Sequence, residues 1–174
     1  MRLDLPVLLS LAVVAATAQT LLPATSWMAI KPPLLTAVAA YYAFSRELPL
    51  ALTAALWIGA LTDVCSGLSF PVTAVWLLIL CGVIRSVRRY LSEKAFWRGM
   101  ALMAVAAPGQ AVWYAGVVGV WNWEECLRGL IAAAGVGAGV GWVVFFVCQW
   151  LDGLAGNVKG AEPRDRVPWH NANV

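Results

Sequence analysis

Two runs of 22 residues without a charged side chain, 99–120 and 129–150, constrain this chain more than any other feature of its sequence. As α-helices they would each extend about 33 Å, at 1.5 Å per residue. That length is enough to cross the hydrocarbon core of a bilayer. The two runs therefore predict transmembrane helices.

Composition supports a membrane protein along most of the chain. Hydrophobic residues make up 61% and charged residues 12% of the 174 residues, whereas a soluble domain has about 25% charged residues. Too few polar side chains remain to cover a soluble surface. This proportion of hydrophobic to charged residues excludes a soluble globular enzyme, a disordered protein and a DNA-binding module, so we expect no nucleic acid partner.

Four shorter apolar runs, at 5–22, 33–44, 48–62 and 68–84, precede the long ones. A single helix over 33–62 would place Arg46 and Glu47 near the middle of a bilayer. Two short helices separated at 45–49, where Pro49 favours a break, avoid this burial. We favour two helices, accommodated by local bilayer thinning or shielded inside the bundle, and five spans remain the alternative.

The resulting prediction is an all-α integral membrane protein, a six-span helical bundle over 1–151 with a polar cytoplasmic tail over 152–174. Basic residues fix its orientation, because Lys and Arg concentrate on the cytoplasmic side. With the N-terminus inside, ten of them are cytoplasmic and only Lys31 and Arg128 are outside: Arg2, Arg46, Arg85, Arg88, Arg89, Lys94, Arg98, Lys159, Arg164 and Arg166. We expect a multi-pass membrane protein with both termini cytoplasmic.

The first apolar run has a second interpretation. Ala16-Thr17-Ala18 resembles a signal-peptidase site after a basic residue and an apolar stretch. However, the apolar run continues past this site to Leu22. We favour a retained first span over a cleaved signal peptide.

Three segments resemble the rod-shape-determining MreD family of bacteria. They are Lys31-Pro32-Pro33, then Tyr41-Tyr42-Ala43-Phe44-Ser45-Arg46, and then Gly59-Ala60-Leu61-Thr62-Asp63-Val64-Cys65-Ser66-Gly67. The total length and the basic loop after the fourth span are similar too. The chain departs from the family pattern after Gly67, with Pro71 at a glycine position and Thr73 at a histidine position.

This resemblance implies a non-enzymatic scaffold of the cell-elongation machinery in the bacterial cytoplasmic (inner) membrane, without a cofactor. The implied partners are an MreC-like periplasmic coiled-coil protein, an MreB-like cytoplasmic filament bound directly or indirectly, and a pair of peptidoglycan synthases. The family's fold resembles the six-helix substrate-binding component of energy-coupling-factor transporters. A subunit that binds a vitamin or another nutrient is therefore the alternative function.

The three segments, together called the motif here, contain six candidate structural residues: Pro32, Pro33, Gly59, Asp63, Ser66 and Gly67. Asp63 could cap the helix that follows it, or accept hydrogen bonds from the Ser66 hydroxyl or the Gly67 amide. Contact with a partner and ion or proton chemistry are the alternatives for this carboxylate.

Four glycines in the last span form two overlapping GxxxG pairs. Gly135 and Gly139 share one face of a helix, and Gly137 and Gly141 share roughly the opposite face. We expect both faces to be approached by neighbouring helices of the same chain, with a partner's helix as the alternative.

Arg85, Arg88 and Arg89 follow i, i+3, i+4 spacing and predict one basic helical face. Such a face rests on anionic lipid headgroups and fixes topology, or it contacts a cytoplasmic partner.

The remaining polar residues predict neither a catalytic nor a metal site. The sequence lacks HExxH, GxSxG and P-loop motifs, and its four cysteines have no metal-binding spacing. Polar residues of the long spans, such as Gln110 and Tyr114, are scattered, and we expect interhelical hydrogen bonds from them. Cys65 and Cys126 both lie near the predicted outer face, where a disulfide is one alternative.

Overall fold

The computed structural model describes residues 4–21, 32–66, 71–90, 95–119 and 123–154. All regular structure in these ranges is helical, which confirms the predicted all-α fold. The helices are α1 (Asp4–Leu21), α2 (Leu34–Ser45), α3 (Leu48–Ser66), α4 (Val72–Val87), α5 (Ala95–Val118) and α6 (Trp123–Leu154), with a short 3-10 helix at Arg88–Tyr90.

Three of these helices are long and apolar enough to cross a membrane, in the segments Leu48–Ser66, Trp97–Val117 and Leu127–Leu154. The other three apolar segments, Pro6–Leu21, Leu34–Ser45 and Val72–Val87, are shorter. Length and composition are therefore compatible with a membrane protein.

The 33–62 region forms two helices, as predicted, and the single-helix interpretation is wrong. Arg46 has extended backbone angles, with φ −110° and ψ 170°, and ends α2. Pro49 lies in the first turn of α3, where its missing N–H costs no intrahelical hydrogen bond.

Helix α2 forms the centre of the bundle. Every residue from Leu35 to Phe44 is buried, and α2 contacts each of the other five α-helices. A helix that is apolar on all sides is expected to be surrounded by protein or lipid. The shielding expected for the shortest predicted span is therefore provided by its neighbours.

Consecutive helices run in opposite directions. The side-chain Oε1 of Gln19, near the end of α1, accepts the amide of Leu35 at the start of α2 at 3.2 Å. Similarly, Asp63 near the end of α3 accepts the amide of Thr73 in α4. We call the end of the bundle that holds Gln19, Asp63 and Thr73 the Asp63 end. The opposite end, which holds Arg46, Arg85 and Asp152, we call the Asp152 end.

Two boundaries differ from the prediction. Helix α3 continues through the polar residues 63–66, beyond the apolar run that ends at residue 62, because Asp63 finds a buried hydrogen-bond donor on α4. Asp152 lies inside α6 and is buried, so the helical domain extends past its predicted limit at residue 151. The rest of the predicted tail, 155–174, lies outside the described residues.

Candidate functional site

Asp63 connects two helices through a buried carboxylate. It lies in the last turn of α3 and is 0% exposed. Its two oxygens accept the backbone N–H of Thr73 at 2.9 and 3.2 Å. Thr73 belongs to the first turn of α4, whose amides have no intrahelical acceptor and favour a negative charge. Asp63 therefore caps α4 from a neighbouring helix, which corresponds to the first alternative we considered for it.

A chain of hydrogen bonds continues from Thr73 into the bundle. The Thr73 and Tyr114 hydroxyls lie 2.7 Å apart. Gln110 donates from Nε2 to the Tyr114 hydroxyl at 2.9 Å, and the Thr36 hydroxyl donates to Gln110 Oε1 at 2.6 Å. Together with Asp63, these side chains join α2, α3, α4 and α5.

This polar chain corrects one expectation and agrees with another. Gln110 and Tyr114 were expected to be scattered, but they meet, because their i, i+4 spacing puts them on one face of α5. The interhelical hydrogen bonds expected from both residues are present. Thr36 and Thr73 were missed as partners, since a single threonine in an apolar run carries no distinctive sequence signal.

The other motif residues position the same helices. Gly59 lies one turn before Asp63, and a Cβ added to it would lie 2.4 Å from the Cα of Ala74. The backbones of α3 and α4 thus touch at Gly59. Pro33 lies at the N-cap of α2, and its carbonyl accepts the Ala37 amide at 3.0 Å. The Pro32 carbonyl accepts the amide of Leu34 at 2.9 Å.

A cavity of about 270 Å³ opens at the Asp63 end between α1, α2 and α3. Its lining mixes small, apolar and polar side chains: Ala16, Gln19, Thr20, Leu35, Cys65 and Ser66. Ser66 of the motif therefore faces a cavity, while Gly67 lies outside the described residues. Cys65 is a free, exposed cysteine, and the side chain of its suggested partner Cys126 lies outside the described residues.

The four glycines of α6 divide into a packed pair and an open pair. A Cβ added at Gly141 would lie 2.2 Å from the Gly99 carbonyl oxygen, and one at Gly137 would lie 2.6 Å from the Ala107 Cβ. These two glycines bring α6 against α5. By contrast, nothing lies within 4 Å of a Cβ added at Gly135 or Gly139. Among the described residues, the expectation of an intramolecular neighbour is therefore wrong for the second pair.

The Asp152 end contains a second buried carboxylate, which sequence reasoning missed. The Tyr41 hydroxyl donates to Asp152 Oδ2 at 2.5 Å, and Arg46 forms an ion pair with Oδ1. The sequence does contain a signal, because Phe145, Cys148 and Asp152 have the i, i+3, i+7 spacing of one helix face. All three residues are buried. This spacing continues the buried face of α6 beyond the apolar run.

The arginines of the predicted basic face make different contacts. Arg85 is half-buried and donates from Nη2 to the backbone carbonyl of Arg46. The Arg88 guanidinium carbon lies 5.3 Å from the centroid of the Phe44 ring. Arg98, from α5, approaches the same ring at 4.9 Å. The Arg89 side chain lies outside the described residues.

Comparison with known proteins finds no match among protein-family models, curated proteins or solved structures. The functional interpretation of this chain therefore depends on its own residues and on the motif resemblance that they carry.

Proposed function

We propose that this chain is a non-enzymatic scaffold subunit of the bacterial cell-elongation machinery, similar to the MreD family. It would cross the inner membrane six times, with both termini cytoplasmic, and it would serve peptidoglycan synthesis by holding other proteins together. Its proposed partners are the MreC-like coiled-coil protein, the MreB-like filament and the peptidoglycan synthase pair.

The observation that carries this proposal is the open glycine pair of α6. Gly135 and Gly139 lie on an exposed face that also contains Ile131, 76% exposed, and Phe146, 67% exposed. Membrane helices associate where small residues let two backbones approach closely. An apolar face with bare backbone in its middle is suited to a single transmembrane helix of a partner. We assign this face to the MreC-like protein.

The arrangement of charges supports the proposed orientation. Arg46, Arg85, Arg88 and Arg98 share the Asp152 end, which would be cytoplasmic by the positive-inside rule. Reporter fusions at positions 46 and 89 and at the C-terminus should then report the cytoplasm. A fusion at Arg128 should report the periplasm. A periplasmic signal at position 46 would contradict the six-span topology.

The partner assignment is tested by purification in mild detergent followed by mass spectrometry. We expect a single-span coiled-coil protein to co-purify with the wild-type chain and to be lost from the Gly135→Leu/Gly139→Leu variant. Gly82→Leu is the matched control, since Gly82 is exposed on α4 with nothing within 4 Å of an added Cβ. Retention of the coiled-coil partner by the double variant would contradict docking at this face. Depletion of the chain should make rod-shaped cells wide or round.

The cavity at the Asp63 end supports a second candidate, the substrate-binding subunit of a nutrient transporter. Its volume of about 270 Å³ is just below the usual range of small-molecule sites, and Gln19, Thr20 and Ser66 offer polar contacts. Stoichiometric recovery of a water-soluble nutrient with a transporter ATPase, and without a coiled-coil protein, would favour this function over the scaffold.

A further inference from the structure

The cavity at the Asp63 end brings side chains from three helices around one space. Gln19 and Thr20 belong to α1, Leu35 to α2 and Ser66 to α3. All of them border the same volume of about 270 Å³, so one molecule inside it can contact all three helices. Of the lining residues that the structure describes, none carries a charge.

The hydrogen bonds already made around the cavity determine which polar groups remain for a ligand. Because a backbone N–H can only donate, the Leu35 amide holds Oε1 of Gln19 at 3.2 Å, and the two N–H donors of Nε2 are left over. The Thr20 hydroxyl donates to the Thr17 carbonyl at 2.9 Å, so its oxygen remains an acceptor. Among the described residues the Ser66 hydroxyl has no hydrogen-bond partner, and it can donate or accept.

The rest of the lining favours an uncharged and compact ligand. Ala16 and the buried Leu35 supply apolar surface. A charged molecule would lose its hydration here without gaining an ion pair from these lining residues, which is costly. At about 30 Å³ per water molecule, the volume corresponds to about nine waters. The ligand is therefore smaller than a typical drug-sized molecule.

From this lining we infer that the cavity binds a compact, uncharged molecule with an apolar ring and an amide group. The amide oxygen would accept from Nε2 of Gln19, and the amide N–H groups would donate to the oxygens of Thr20 and Ser66. The ring would lie against Ala16 and Leu35. This inference gives the nutrient-binding candidate a class of ligand, but it requires only the cavity, since a scaffold can bind such a molecule as well.

Cys65 provides the test, because its free thiol is exposed and lines the same cavity. The whole chain in mild detergent is alkylated with N-ethylmaleimide, and modification of Cys65 is followed by peptide mass spectrometry. We expect benzamide at about 10 mM to slow this modification about tenfold, as for a dissociation constant of about 1 mM. Benzoate is similar in size but carries a negative charge, and at the same concentration it should leave the rate unchanged.

Two variants locate the bound benzamide. Ala16→Leu fills part of the cavity and should abolish the protection of Cys65. Ser66→Ala removes one polar contact and should raise the dissociation constant about fivefold. Ser86→Ala is the matched control, because Ser86 is an exposed serine of α4 at the Asp152 end, where its hydroxyl donates to the Gly82 carbonyl. This control should be protected like the wild type.

Each measurement has an outcome that contradicts the inference. Absence of protection by benzamide would overturn the site, and equal protection by benzoate would overturn the uncharged class of ligand. Protection that persists in Ala16→Leu would place the benzamide outside this cavity and overturn the site too. Alkylation of free cysteine in the same solutions controls for direct effects on the reagent. Co-purification of a transporter ATPase or a coiled-coil protein is measured separately, so the cavity and either proposed function fail separately.

Discussion

Alanine substitutions at Gly139 and Gly141 of α6 distinguish the effect of helix packing on stability from the effect of helix propensity. Both substitutions add one methyl group within the same uncharged segment of α6, 129–150. At Gly141 the new Cβ would lie 2.2 Å from the carbonyl oxygen of Gly99, whereas ordinary van der Waals contact begins at 3.4 Å. At Gly139 nothing lies within 4 Å.

The Gly141→Ala variant must therefore move α5 and α6 apart by roughly 1 Å, because the obstructing atom belongs to the backbone. Overpacking of this kind costs about 1–3 kcal/mol. Replacing a helical glycine by alanine gains about 0.5–1 kcal/mol in either variant. The gain cancels in the comparison, so we expect Gly141→Ala to be less stable than Gly139→Ala by about 2 kcal/mol, or about 30-fold in the unfolding equilibrium constant.

The assay is reversible unfolding of the purified protein in mixed detergent micelles, followed by circular dichroism. Gly137→Ala provides a second measurement on the packed face, since its Cβ would lie 2.6 Å from both Ala107 Cβ and the Met103 carbonyl oxygen. It should behave like Gly141→Ala. Equal stability of the Gly139 and Gly141 variants would refute the close approach of α5 and α6.

Three other substitutions test the buried polar contacts by the same unfolding assay. Asp63→Leu should cost about 1–3 kcal/mol, because the amide of Thr73 loses its acceptor; wild-type stability would contradict the cap. Tyr114→Phe removes a hydroxyl that joins two side chains and should cost about 1 kcal/mol, while no change would indicate that water replaces it. Asp152→Asn should cost about 3 kcal/mol, because Arg46 keeps its buried charge without the carboxylate. Adding Arg46→Met to the last variant should recover part of this loss, and additive losses would rule out the ion pair.

The sequence predicts those parts of the fold that depend on neighbouring residues. The break between α2 and α3 follows from Arg46, Glu47 and Pro49, which lie within four residues of each other. The presence of helices over the apolar runs is predictable in the same way, because the absence of charged residues from each run is a local feature of the sequence. The cap at Asp63 is predictable too, since its acceptor and its donor are separated by only ten residues in the sequence.

Other parts depend on residues that are distant in sequence. Asp152 stays helical and buried because Tyr41 and Arg46, more than a hundred residues earlier, supply its donors. A charged residue after an apolar run otherwise indicates a tail. The two glycine pairs of α6 are equivalent in sequence, and the positions of Gly99, Met103 and Ala107 on α5 decide which pair is packed.

The two buried carboxylates lie at opposite ends of the bundle, and small residues lie between them. Asp63 lies in the last turn of α3 and Asp152 in the last turn of α6, and the alternating helix directions put these turns at opposite ends. Between them, α3 contacts its neighbours through Ala54, Ala55 and Gly59, which are buried and have no polar side chain. In a bilayer, a charge is least costly near the ends of a span, and small residues give close packing at its centre.

Substitutions in the middle of the bundle should therefore act by separating helices, whereas those at its ends should act through the loss of hydrogen-bond donors and acceptors. For this reason, adding a compensating partner side chain can rescue a variant at the ends but not one in the middle.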